Sequence, residues 1–383
     1  MKRLLDGAMG SGFVQGFCLL TLATLLSACA VSREIASPSW SPNPAYEWRL
    51  PQGFPVPRVP ADNPMSAAKV ELGRHLFYDK RLSLDGTASC ATCHRQEFAF
   101  TDGEARAVGV TGELHPRGAM SLANVAYSVT LGWDDPHLER LEEQARIPMF
   151  NTEPVELGLA GREARLMTEL RQDPRYQDLF DSAFPAINGI MELPHVLDGL
   201  AAFQRTLISG DTPFDRWLAG NEEALSPEAR QGSQLFFSQR VGCFRCHRGF
   251  NLSGPADFEG AKDTEKVFLN TGLYDEDGRG AYPASNTGLH RFTGNAEDMG
   301  RFRIPTLRNV ALTAPYMHDG SVGTLSEVVD IYAAGGRTDS PFKSPNVKPF
   351  QLSENEKEAL LRFLESLTDL TFIRDPHFAD PWQ

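Results

Sequence analysis

Basic residues are scarce in this chain: 37 Lys and Arg stand against 50 Asp and Glu, a formal net charge of −13. That balance argues against a nucleic-acid partner. Long apolar runs are scarce too. The best candidate, Phe13 to Leu26, is broken by Gln15, Thr21 and Thr24 and is shorter than the roughly 20 residues of a membrane span. Runs of alternating strand pattern are missing, so an all-β fold is excluded. Helical patterns separated by loops rich in glycine and proline predict a mainly α chain. Cysteine is limited to Cys18, Cys29, Cys90, Cys93, Cys243 and Cys246, too few and too oddly placed for a disulfide framework.

The N-terminus accounts for two of the six. Lys2 and Arg3 precede the apolar run, and Leu26-Ser27-Ala28-Cys29 closes it, which reads as a secretory signal over residues 1–28 ending in a lipobox. Cys18 leaves with the signal, and Cys29 becomes a lipidated first residue facing the periplasm. Ala30 follows where aspartate would argue for inner-membrane retention, so an outer-membrane lipoprotein is expected. Seven prolines between residues 29 and 62 (Pro38, Pro42, Pro44, Pro51, Pro55, Pro57, Pro60) predict an extended tether. The remainder is long enough for two domains, expected over 63–215 and 216–383 with the boundary near Gly210 to Asn221.

Four cysteines remain, and each pair is followed by histidine: Cys90-Ala91-Thr92-Cys93-His94 and Cys243-Phe244-Arg245-Cys246-His247. C-x-x-C-H is the pattern by which haem is held through two thioethers while the histidine ligates iron. Zinc hooks are the plainer alternative, but they usually stand about 15–20 residues apart, whereas these are separated by 153. Two covalently bound haem c groups use all four thiols and leave none for a disulfide. Each pentad is preceded by a helical stretch, Ala67 to Tyr78 and Ala229 to Phe237, the second opened by Ser226 as N-cap and Pro227 at the first position. Gly73-x-x-Leu76-Phe77 aligns with Gly232-x-x-Leu235-Phe236, which predicts a duplicated haem module, each a c-type cytochrome domain with long loops. Ser353 to Glu356 and Thr324 to Glu327 are capping boxes for two further helices. An acidic surface suits a basic redox partner, or serves only solubility.

Downstream of the first pentad stand Arg117-Gly118, Leu122-Ala123-Asn124-Val125-Ala126-Tyr127, Trp133-Asp134, Gln144, Pro148 and Pro154-Val155-Glu156-Leu157-Gly158. Downstream of the second stand Arg303-Ile304-Pro305-Thr306-Leu307-Arg308-Asn309 and Thr313-Ala314-Pro315-Tyr316-Met317-His318-Asp319-Gly320. In these motifs and their order the chain resembles the bacterial dihaem cytochrome c peroxidase and MauG family over residues 63 to 370. The P-V-E-L-G and L-A-N-V-A-Y segments are similar to the MauG-related branch containing MbnH, which acts on a copper-binding partner protein. The resemblance implies that Trp133 lies between the haems and that Gln144, Pro148 and Glu156 form the peroxide pocket over the first. A carboxylate in an apolar pocket can take the proton from bound peroxide and return it to the leaving oxygen; Glu156 is the candidate and Glu153 its competitor, with two extra residues after Pro148 compared with many relatives. Orthodox peroxidases in the family place a histidine over the first haem, but His115 is displaced from that position, so an open first haem is expected.

At the second haem Leu325, Val328, Val329 and Tyr332 fall on one helical face. Tyr332 stands where relatives carry the other axial ligand, methionine in peroxidases and tyrosine in MauG; Met317 is the rival. The resemblance also implies calcium between the haems, held by Thr313 and Pro315 carbonyls, with Asn124 replacing the asparagine that Gly118 lacks. The family implies, first, a peroxidase that reduces hydrogen peroxide at the first haem with electrons from a small donor, a cytochrome c or cupredoxin. The alternative is a MauG-like oxidase that uses peroxide to modify a residue such as tryptophan on a substrate protein, which Tyr332 favours. A dihaem electron carrier without catalysis would need protein ligands on both faces of both haems. His75, His137, His195, His290, His318 and His377 have no partner at metal-ligand spacing.

Overall fold

A computed structural model describes residues 46–262 and 264–383. The signal segment, Cys18, Cys29 and the first part of the expected tether lie outside the described residues. Eleven α-helices carry the architecture: α1 (Ala67–Tyr78), α2 (Cys90–Cys93), α3 (Leu141–Phe150), α4 (Glu163–Gln172), α5 (Pro174–Ala183), α6 (Leu193–Arg205), α7 (Pro213–Leu218), α8 (Pro227–Phe236), α9 (His290–Thr293), α10 (Leu325–Ala333) and α11 (Glu354–Glu365). Among the described residues the strands are one short antiparallel pair, β1 (Phe268–Leu269) with β2 (Phe302–Arg303). A mainly α fold is what the periodicity predicted.

The duplicated module is visible in packing. Helix α1 lies against α6, and α8 against α11. A Cβ on Gly73 would sit 1.9 Å from the Gly199 carbonyl oxygen and 2.8 Å from the Phe203 Cβ; on Gly232 it would sit 1.9 Å from the Ala359 oxygen and 2.8 Å from the Phe363 Cβ. The aligned glycines are therefore the points where paired helices cross at backbone contact, which no larger residue permits. Each crossing anchors a core: Leu72, Leu76, Phe77, Leu200 and Phe203 in the first, Phe236, Leu360, Phe363 and Leu364 in the second. The expected caps form, with Ser226 accepting from the Ala229 N–H and both capping boxes closed on α10 and α11.

A second repeated device was not foreseen. Asn124 and Asn309 both adopt left-handed backbone (φ 60° and 62°). Asn124 N–H donates to the Leu207 carbonyl and its Oδ1 accepts from Ser209 N–H; Asn309 N–H donates to the Leu367 carbonyl and its Oδ1 accepts from Asp369 N–H. Each asparagine staples the loop after its pentad to the chain just beyond α6 or α11.

Two boundaries need correction. From Tyr46 the expected tether is a packed strap: Phe54 stacks edge-on against Tyr127 and Phe250, Tyr127 Oη donates to the Pro55 carbonyl, and Arg58 pairs with Asp257 at 2.8 Å. Proline-rich sequence gave extended backbone, but its apolar residues found a seam to fill. The C-terminal residues Phe372, Ile373, Phe378 and Trp382 pack on the first core, not the second, so the last dozen residues belong with the opposite module.

Candidate functional site

Each pentad opens onto a cavity. The first, about 60 Å³, is lined by Cys90, Cys93, His94, Gln144, Pro148 and Glu156; the second, about 290 Å³, by Cys243, Cys246, His247, Trp133, Met317 and Tyr332. Both exceed the ~10–15 Å³ that one water requires. The sequence-derived haem-site candidates thus fall into two groups around two histidines.

The imidazoles are prepared as ligands. His94 Nδ1 lies 2.8 Å from the Phe100 carbonyl and His247 Nδ1 3.0 Å from that of Leu252. Such a bond fixes the ring and its tautomer and leaves Nε2 for a metal. Burial holds both rings below the usual histidine range and therefore neutral.

Over the first histidine, α3 supplies Gln144 and Pro148. This helix is tied to α6 by a buried ion pair, Glu142 with Arg205 at 2.8 Å, and Asn63 Nδ2 donates to Glu142 at 2.7 Å. The Glu156 loop is pinned to the end of α3, since Leu157 N–H donates to the Pro148 carbonyl and Leu159 N–H to that of Met149, both at 2.8 Å. The Glu156 carboxyl makes no hydrogen bond among the described residues, and burial alone pushes it up to about 7. A carboxyl poised near neutrality can both accept and return a proton. Glu153, the competitor, does not line the cavity. His115 does, although it is displaced in sequence from the family's histidine position. Its Nδ1 lies 3.2 Å from both the backbone N and the carbonyl O of Arg117, which holds the ring at the cavity's edge.

At the second histidine, Tyr332 comes from α10 as its helical face predicted. Burial first, then the neighbouring Cys246 and Cys243, raise its hydroxyl far above the usual tyrosine range, and no hydrogen bond among the described residues uses that hydroxyl. Met317 shares the cavity but also packs with Leu273, Tyr282 and Phe302. Trp133 lines the wall, its Nε1 donating to the Gly118 carbonyl at 3.1 Å and its carbonyl accepting from Arg303 N–H at 2.8 Å. The next residue, Asp134, is buried between Arg117 and Arg291. Residues 101–104 and 118–121, which follow the first pentad, also line this cavity, so the first module builds part of the second site.

Sequence reasoning missed two groups here. Arg303 and His318 line the second cavity, and Arg303 Nε and His318 Nε2 are buried without a hydrogen-bond partner. Desolvation lowers Arg303 to about 10 and His318 to about 4. A buried guanidinium with no carboxylate beside it calls for an anion, and haem carries two carboxylates, so these residues fit that group. Both lie in motifs quoted above, but a motif does not say which way a side chain points. Thr313 and Pro315 line this cavity as well. Asn124 lines neither, and its amide is committed to Ser209 and Asn251, so the expected calcium set is not brought together: the staple claims its third member.

The model of the di-haem cytochrome c peroxidase family matches residues 67–223. The cytochrome-c peroxidase IdrP1 of Denitromonas iodatirespirans is 37% identical over 349 residues, covering 86% of this chain and 89% of that protein. The methylamine utilization protein MauG of Methylorubrum extorquens is 37% identical over 323 residues, 84% of this chain and 83% of its own. Among solved structures, a MauG-like protein associated with microbial copper homeostasis aligns with a TM-score of 0.86 at 44% identity, over 88% of this chain and 100% of that one.

Proposed function

Because the chain belongs to the di-haem cytochrome c peroxidase family, which includes MauG, we propose that it consumes hydrogen peroxide at the first pentad and oxidises a residue on a partner protein from the second. The observation that carries this reading is the Tyr332 side chain, which lines the second cavity and whose hydroxyl makes no hydrogen bond among the described residues. Haem would supply peroxide binding at the first pentad and one-electron chemistry at both, held by Cys90, Cys93 and His94 at the first and by Cys243, Cys246 and His247 at the second. Glu156 takes the proton of incoming peroxide and returns it to the departing oxygen, while Gln144 orients the substrate and Pro148 keeps the pocket wall apolar. Trp133 lies on the route between the sites. Tyr332 would offer its phenol oxygen to the second iron, whose charge would displace the proton, and such a ligand would favour the oxidised states of iron over the reduced. Lipidation at Cys29 places the enzyme on the periplasmic face of a membrane. The copper link of a relative makes a copper-handling protein the first substrate to try.

The second reading, a cytochrome c peroxidase fed by a small donor, is favoured by Met317, which shares the Tyr332 cavity. One equivalent of peroxide added to the fully oxidised protein separates the two. A new near-infrared band from coupled haems is expected; no reaction until one haem is reduced would sink the oxidase reading. Tyr332→Met should alter the ferric spectrum of the second haem, and an unaltered spectrum assigns its ligand elsewhere.

A further inference from the structure

The loop bearing Glu156 has little structure of its own, yet its carboxyl is held in an apolar pocket. Besides its two bonds to the end of α3, the loop is held by a hairpin from a distant part of the sequence. Ala107 to His115 folds back on itself: Val108 bridges Leu114, His115 N–H donates to the Ala107 carbonyl, and Gly109 N–H to that of Glu113 at 2.9 Å. Its tip grips the Glu156 loop at three points. Glu113 Oε2 accepts from Val155 N–H at 2.8 Å, and Val110 N–H donates to the Glu156 carbonyl at 2.8 Å. Gly109 lies so close that a Cβ there would stand 1.8 Å from the Val155 carbonyl oxygen and 3.2 Å from the Glu156 Cα. The atoms it would strike are backbone and cannot swing aside. The same hairpin lines the first cavity through Ala107, Val108, Gly109, Glu113 and His115.

We propose that this hairpin, through Glu113 and Gly109, is the positioning element that keeps the Glu156 carboxyl inside the peroxide pocket. Glu113 is a positioning residue: it touches the peptide before Glu156 and acts through it. The inference rests on the proposed role of Glu156 as the group that takes a proton from an incoming ligand.

Hydrogen cyanide tests this without turnover, because it must lose its proton to bind ferric haem, whereas imidazole binds with no proton to give up. Cyanide and imidazole association are measured on the ferric holoprotein and on Glu156→Gln, Glu113→Ala, Glu113→Gln and Gly109→Ala, each checked for wild-type haem content. Glu156→Gln should slow cyanide by about 10²-fold. Glu113→Ala and Gly109→Ala should slow it by about tenfold or more through misplacement of the carboxyl, with imidazole not slowed. Glu113→Gln still offers a carbonyl oxygen to Val155 N–H and should stay within about twofold of wild type. Glu113 is exposed, so its variants test the idea even where Gly109→Ala fails to fold. If Glu156→Gln slows cyanide while both hairpin variants bind it at the wild-type rate, the hairpin's role is overturned and that of Glu156 stands. Equal slowing of both ligands means lost access and also overturns it. An unchanged rate in Glu156→Gln removes the reading beneath it.

Discussion

Glu156 combines a titration near neutrality with a single cause, desolvation, because no charge or hydrogen bond stands beside its carboxyl. Its function as a base requires the ionised form. The rate of the peroxide reaction should therefore rise with pH through a midpoint of about 7, and stopped-flow profiles of Glu156→Gln should lose that limb. The stability consequence has the opposite sign. A carboxyl raised from 4.5 to about 7 on folding favours the folded state while protonated, and that contribution is lost as pH rises between the two values. Glu156→Gln should therefore gain thermal stability relative to wild type above pH 7 and show no gain below pH 4.5. A Tm difference independent of pH would count against a buried, unpartnered carboxyl. Arg303 is the cationic counterpart at the other site: its Nη1 donates to Ser128 Oγ and the Thr130 carbonyl, no carboxylate among the described residues pairs with it, and its buried Nε is left over for an anion.

At the scale of elements, two glycines do the work of a joint. Helix α1 meets α6 at Gly73, and α8 meets α11 at Gly232, each within 1.9 Å of a carbonyl for a would-be Cβ. Gly232→Ala should push α8 from α11 and cost about 1–3 kcal/mol by overpacking. Its effect should fall on the second module, read as loss of haem at the second pentad with the first retained. Equal loss at both would show that the modules do not fold around their own crossings. Of these, α1, α8 and α11 were legible from the sequence because amphipathic spacing, an N-cap serine and a capping box are local signals; α6 was not among the expected helices. The asparagine staples were not legible, since Asn124 and Asn309 are matched to partners far along the chain, and asparagine's readiness for left-handed backbone does not by itself say which asparagines adopt it.

For the whole molecule, the strap is the feature that composition misled. Phe54 sits among Tyr127 of the first module and Phe250 and Arg308 of the second, and a Cβ on Gly210 would stand 2.7 Å from its ring. Phe54→Ala removes a wedge that touches both modules and should cost about 3–5 kcal/mol if the site cannot collapse. A calorimetric transition that splits in two, with each haem still ligated, is the expected result; a single transition at the wild-type Tm would make the strap dispensable.

Much of this protein was settled by the chain alone. Two C-x-x-C-H pentads and the glycine-marked helices before them are statements about spacing and chemistry, positions 144, 148, 156 and 332 were candidates through the family resemblance, and none of these depends on how the modules pack. What tertiary structure decided is which of these groups meet and in what surroundings. It put Glu156 in an apolar pocket held by a hairpin more than forty residues away in sequence, left the Tyr332 hydroxyl without a hydrogen bond among the described residues, and spent the Asn124 amide on a staple. It also folded the N-terminal strap and the C-terminal tail across the module boundary. The physical reason is common to all of them: burial and partnership are properties of contacts between residues distant in sequence, and a proton affinity or a free ligand follows from those contacts and not from residue type.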